Sequence, residues 1–258
     1  MHDELKERIT LGGDLDRSLR EGYQLDLPRL FKEAWRLTLS SRLALFFAIL
    51  AVIGLTLLSF RLVAFSGLID GHAFAQDMLV TLVIAALLSP ISSSLDMLGL
   101  RRALGGRVKP SMIFDYWGHF VVLAQTSLLI NGIKGLIESL VMHMGVSETW
   151  LMIPIACFSM TMLYTIPLVL ERGLSPARAM LTSFRLFIKG WPQLVLIYAV
   201  LVALFVLAML PLGLGLIWMM PFYLIMNGLI YREVCGVRLS VNIQQTEAAT
   251  HDKGSFVA

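Results

Sequence analysis

Nineteen of the 21 lysines and arginines fall on one side of this chain once its apolar stretches are folded back and forth. That asymmetry belongs to a polytopic membrane protein. Hydrophobic residues make up 57% of the 258 positions and charged ones only 15%, more apolar surface than a water-soluble fold can cover. Six stretches are long enough to cross about 30 Å of hydrocarbon as helix: residues 43–60, 78–100, 119–144, 150–170, 192–210 and 214–231. The fifth and sixth are joined by the tight hairpin Pro211-Leu212-Gly213.

Orientation follows from the loops, because cytoplasmic loops near span ends keep Lys and Arg. The N-terminal segment holds eight, from Lys6 to Arg42. The loop after span two holds Arg101, Arg102, Arg107 and Lys109; that after span four holds Arg172, Arg178, Arg185 and Lys189; the tail holds Arg232, Arg238 and Lys253. Only Arg61 and Lys134 fall on the other side. Both termini are therefore expected in the cytoplasm. The start is charged and no apolar run follows within the first 30 residues, which argues against a cleaved signal peptide. Residues 1–26 read as a cytoplasmic segment, 27–238 as the membrane domain and 239–258 as a flexible cytoplasmic tail.

Each odd span is preceded by a proline and an amphipathic stretch. Pro28 leads to Leu30, Phe31, Ala34 and Trp35; Pro110 to Met112, Ile113, Tyr116 and Trp117; Pro176 to Ala179, Met180, Ser183, Phe184 and Phe187. Apolar residues at helical spacing with basic residues between them describe helices lying in the interface, with Asp26 and Ser175 as N-caps for two of them. The expected fold is all-α: six transmembrane helices as three hairpins, each behind an interfacial helix, packed with pseudo-threefold symmetry. Arg36, Arg42, Arg101, Arg102, Arg107, Lys109, Arg172, Arg178, Arg185 and Lys189 would form a collar against anionic lipid headgroups, each worth about 1 kcal/mol near the surface.

Ionisable residues at membrane depth are costly and mark candidate sites. Lys134 and Glu138 share a face of span three; they form either a structural i, i+4 pair or a substrate or ion site, unless the span is shorter and both are exposed. Asp96, Asn131 and Asn227 read first as interhelical hydrogen-bonding groups, with Asp96 also able to pair with Arg101 or Arg102, and otherwise as the lining of a polar path. Such a path requires these five residues to converge on one cavity. Pro90, Pro154, Pro167 and Pro221 read as kinks rather than binding-site breaks.

No chemistry announces itself. His2, His72, His119, His143 and His251 fit no zinc spacing, and Leu11-Gly12-Gly13-Asp14 lacks the lysine of a phosphate loop. No catalytic residue, metal or cofactor is assigned. Cys157 and Cys235 are not expected to form a disulfide. Nucleic acid is not an expected partner, since the net charge is only +3 and the basic residues flank apolar segments.

The positions of Pro167, Glu171, Arg172, Ser175, Pro176 and Ala179, then Gly213, Gly215, Trp218 and Pro221, then Tyr231, Arg232 and Glu233 resemble uncharacterised bacterial six-span inner-membrane families. These are similar to the membrane domain attached to some glycerophosphodiester phosphodiesterases. The resemblance is clearest over the last 90 or so residues. It implies a bacterial inner-membrane protein of unassigned role and brings no catalytic residues. The leading expectation is a non-enzymatic membrane-organising or partner-binding protein; the alternative is a small transporter or channel. Oligomeric state is not legible.

Overall fold

A computed structural model describes residues 7–65, 74–145 and 147–241. Helices dominate: α1 (Leu15–Glu21), α2 (Leu27–Phe65), α3 (Phe74–Ala103), α4 (Phe120–His143), α5 (Glu148–Thr161), α6 (Thr165–Arg172), α7 (Pro176–Met209) and α8 (Leu216–Cys235). Two short strands, β1 (Glu7–Leu11) and β2 (Val237–Val241), pair antiparallel with Glu7 opposite Val241. Five segments are long and apolar enough to cross a bilayer: Leu27–Val63, Met78–Ala103, Pro110–His143, Trp150–Arg172 and Pro176–Met209. The chain is a multi-pass helical membrane protein.

The sixth apolar stretch became α8, which lies at the centre of the bundle against α2 and α3. Burial covers most of the helix, from Met219 and Phe222 through Ile225, Met226, Leu229 and Ile230 to Val234, with Tyr223 exposed. A helix largely enclosed by protein can carry Asn227 and Tyr231 without facing lipid. Close approach depends on glycine: a Cβ on Gly99 would stand 2.2 Å from the Leu224 carbonyl oxygen, and one on Gly228 would stand 2.6 Å from the Gly99 backbone. Small residues at helix crossings let backbones meet in this way. With α8 central, the three predicted hairpins do not contribute equally to the core.

In α2 the buried stripe Leu30, Ala34, Thr38, Ser41, Leu45, Ala48 and Val52 faces the bundle. Leu43, Phe47, Leu50, Leu57 and Leu62 face outward at 44–62% exposure, as do Leu79, Val83 and Leu87 on α3. Apolar surface on this scale needs a bilayer to cover it.

Three local expectations changed. The Pro28 stretch does not form a separate helix but opens the continuous α2, where Asp26 Oδ1 accepts from Arg29 N at 3.2 Å as expected of a cap. The Pro110 stretch forms two 3-10 turns, Pro110–Phe114 and Trp117–His119, which turn Ile113 inward and leave Phe114 and Trp117 outward. Ser175 precedes α7 without a side-chain capping bond.

Prolines explain the two irregular spans. Pro167 has no N–H to give the Leu163 carbonyl, and the helix breaks between α5 and α6. Ser183 of α7 repairs the gap: its hydroxyl accepts from Tyr164 N at 3.1 Å and donates to the Thr161 carbonyl at 2.5 Å. In α7 the backbone leaves helical geometry at Gly190 (φ −128°, ψ 18°), two residues before Pro192. The ring of Tyr23 fills the space beside Gly190, where a Cβ would stand 2.3–2.5 Å from its atoms.

Candidate functional site

The ends of α2, α3, α6 and α8 meet in a network of charges. Arg232 holds Glu33 with two parallel bonds, Nη1 to Oε1 at 2.9 Å and Nη2 to Oε2 at 3.0 Å. The same guanidinium donates to the Ala103 carbonyl at 2.7 Å and to Glu233 Oε1 at 2.8 Å. Such bidentate pairs are strong and directional, so Arg232 joins three helices at one point. Beside it, Arg172 donates to the carbonyls of Cys235 (2.6 Å) and Gly236 (3.0 Å), while Glu171 accepts from Arg172 Nε at 3.4 Å and from the Tyr231 hydroxyl. Only 11–19% of the side-chain surfaces of Glu33, Glu171, Arg172 and Arg232 is exposed. These charges are structural ties rather than available groups.

The N-terminal segment closes the same end. Leu11-Gly12-Gly13-Asp14 is neither a phosphate loop nor a free linker: it caps α8. Gly13 N donates at 3.0 Å to the Arg232 carbonyl, which also accepts from Gly236 N, and Ser18 Oγ donates at 2.7 Å to the Val234 carbonyl in the last turn of the helix. A Cβ on Gly12 or Gly13 would stand 2.1 Å or 2.0 Å from a carbonyl oxygen of α8. Tyr23 donates to the Leu186 carbonyl at 3.1 Å and meets the Tyr164 hydroxyl at 3.1 Å, while Gln193 Oε1 accepts from Leu25 N at 2.8 Å. Burial pushes the Tyr23 phenol up to about 12. A polar cleft of about 970 Å³ opens between this segment and α7, lined by Asp14, Arg17, Glu21, Lys189 and Gln193. Burial also raises the Cys235 thiol above its ordinary range, as for an inert packed cysteine. Cys157 is exposed, and neither cysteine is in a disulfide.

The ten collar positions divide. Arg36, Arg101, Arg107, Lys109, Arg178, Arg185 and Lys189 are exposed. Arg42, Arg102 and Arg172 are half-buried and turned to internal partners: Arg42 lies 5.5 Å from the Trp218 ring centroid, and Arg102 donates to Ser40 Oγ at 2.6 Å and to the Gly106 carbonyl at 3.2 Å.

The five intramembrane polar residues fall in two places. Asn131, Lys134 and Glu138 line a cavity of about 410 Å³ between α3, α4 and α5. Asp96 and Asn227 sit elsewhere, beside α7: Tyr198 donates to Asn227 Oδ1 at 2.9 Å, and the Tyr198 and Tyr223 rings meet edge to face at 6.2 Å. The described ion pairs join Asp96 to neither Arg101 nor Arg102, and Lys134 is not among the partners of Glu138. Sequence reading named Glu171, Tyr231 and Ser183 without giving them a bonding role, and missed Glu33. Glu33 and Glu171 carry a signal only in hindsight, as acids among basic residues at span ends. Among the described residues no three His, Cys, Asp or Glu side chains gather as a metal-binding group; His2, His72 and His251 lie outside the described residues. Compared with protein-family models, with curated proteins and with solved structures, the chain finds no match.

Proposed function

We propose that this chain is a six-span, non-enzymatic protein of the bacterial inner membrane, with both termini cytoplasmic. It organises membrane or binds a membrane protein partner through a basic inner face that engages anionic lipid headgroups. The resemblance to bacterial six-span membrane families belongs to the same reading. Support for an even number of crossings comes from β1 and β2: hydrogen-bonded strands cannot lie on opposite sides of a bilayer, and α8 as a sixth crossing fits their pairing.

One observation carries the functional part. Charges that could serve a reaction at the basic end are bound to one another, whereas seven collar residues are exposed beside exposed aromatics, Arg101 only loosely paired with Asp115 at 3.9 Å and Lys189 donating to the Arg20 carbonyl at 3.2 Å. Trp35, Phe114, Trp117, Phe184 and Trp191 are 45–55% exposed, and aromatic rings beside lysine and arginine favour the headgroup level. The first turns of α2 also support an interfacial course. Phe31 and Trp35 contact Phe222 while Glu33 holds Arg232, from opposite sides of α2. Those partners stand about 15 Å apart along α8, so α2 starts across α8 rather than alongside it.

The test is the lipid shell. Protein extracted with its surrounding lipid is expected to be enriched in anionic phospholipid, less so at high salt and less so in the quadruple variant Arg101→Gln, Arg107→Gln, Arg178→Gln, Arg185→Gln. A shell with bulk composition in both proteins would sink the proposal. Crosslinking in native membranes would then identify a protein partner. The transporter reading places its five polar residues in two groups, and solute flux from vesicles, stopped by Lys134→Ala or Asp96→Ala, would revive it. Orientation is checked separately by labelling Arg107→Cys and Leu212→Cys in a Cys157→Ala background with an impermeant maleimide; in intact cells only the Leu212→Cys protein is expected to react.

A further inference from the structure

The cavity between α3, α4 and α5 lies at the end of the bundle remote from the collar. Glu138 stands five residues before the end of α4 at His143, and the facing residues Met78 and Thr81 come from the first turns of α3. On the proposed topology that end reaches the boundary between headgroup and hydrocarbon. The volume, about 410 Å³, lies in the range of small-ligand sites.

Its walls carry one cation and one anion. Lys134 and Glu138 are a helical turn apart on one face of α4, a spacing at which opposite charges ordinarily pair, yet both open into the cavity and the described ion pairs do not join them. The floor is fixed: Ser127 Oγ donates to the Ala85 carbonyl of α3 at 3.0 Å, and Asn131 Nδ2 donates to Ser127 O at 2.9 Å and to Ser127 Oγ at 3.1 Å. Two unlike charges held on a rigid wall are complementary to a zwitterion.

We propose that this cavity binds the phosphoethanolamine headgroup of a phospholipid, the phosphate on Lys134 and the primary ammonium on Glu138. The order along the membrane normal matches. Four residues of helix place Glu138 about 6 Å nearer the water than Lys134, and in such a lipid the ammonium lies outside the phosphate. The amine type is specified as well. A primary ammonium donates hydrogen bonds to a carboxylate, whereas a trimethylammonium needs aromatic faces, and none of the described lining residues is aromatic. A phosphoglycerol headgroup would satisfy Lys134 but leave Glu138 without a cation. Deeper in the bilayer than Lys134, the exposed Leu128 and Leu129 on α4 and Val83 and Leu87 on α3 offer apolar surface for the acyl chains.

The site does not rest on the collar or on the proposed role of the basic face. Its test uses purified full-length protein, stripped of lipid in detergent and titrated with phosphatidylethanolamine, phosphatidylcholine and phosphatidylglycerol of identical chains, with bound lipid counted by native mass spectrometry. Phosphatidylethanolamine is expected to bind at least about tenfold more tightly than either, the effect of one charge-assisted hydrogen bond. The near-isosteric variants Lys134→Met and Glu138→Gln should each erase that preference while circular dichroism and melting stay unchanged. Soluble phosphoethanolamine separates the two sources of this chemistry: binding as tight as the lipid's identifies a free zwitterion as ligand, and much weaker binding identifies the membrane lipid. Equal binding of the three lipids by the unaltered protein, which needs no variant to fold, overturns the proposal, as does a preference that survives both substitutions.

Discussion

The two ends of this bundle treat charge in opposite ways. At the basic end Glu33, Glu171, Arg172, Arg232 and Glu233 are joined to one another and to helix-end carbonyls, so that charge is spent on fastening α2, α3, α6 and α8 together. At the remote end Lys134 and Glu138 open into a cavity without joining each other. A partly buried charge that is paired makes a fastening, and a partly buried charge left open keeps its capacity to bind. Function is therefore expected at the exposed collar and in the remote cavity, and stability at the network between them.

The largest effect should come from Arg232→Met, which leaves Glu33 half-buried without its partner. Breaking such a pair costs about 3–5 kcal/mol, and the variant should lose most of its folded yield in detergent. The double variant Glu33→Met with Arg232→Met is expected to recover much of that loss in a thermal melt; if it recovers none, the network is not the fastening described. Ser183→Ala should cost about 1–3 kcal/mol, because Tyr164 N–H loses its acceptor at the break between α5 and α6. Unchanged melting would mean that water replaces the hydroxyl.

A pH series sharpens the contribution of the N-terminal segment. The Tyr23 phenol is raised in the folded protein, so its contribution is complete below the unfolded value of 10 and is lost as pH rises towards about 12. Tyr23→Phe should flatten that alkaline loss in a melt series. The smallest stability change is expected at the remote end: Lys134→Met and Glu138→Gln should alter melting within about 0.5 kcal/mol, because neither charge is among the described ion pairs. A large destabilisation there would show that these charges fasten the bundle too, and the contrast between the two ends would fail.

Much of the membrane architecture was legible because hydropathy is local. Each apolar run near 20 residues must span or be enclosed, and the break before Pro167 and the kink before Pro192 follow from a missing N–H. The basic loops were legible in the same way. Less could be read where partners are far apart in the chain: Glu33 and Arg232 are separated by 199 residues, and Ser183 reaches Thr161 across 22. Local periodicity suggested a helix after Pro110, but burying Ile113 under α2 and α3 was met by 3-10 turns instead.

The candidate sites show the same division. Lys134 and Glu138 were recognisable from two charges in an apolar run, whereas Asp96 and Asn227 could be separated from them only once α3, α7 and α8 were in place. The loop Gly12-Gly13 carries no sign in the sequence that it caps α8.

Composition and charge placement by themselves determined that the chain is a helical membrane protein whose Lys and Arg gather beside its apolar stretches, because burial in hydrocarbon and retention of Lys and Arg act on short stretches. The tertiary structure decided which of those charges remain free. Arg232 and Arg172 look like Arg107 and Arg178 in the sequence, and differ because a carboxylate and helix-end carbonyls from distant segments arrive within hydrogen-bonding distance of the first two.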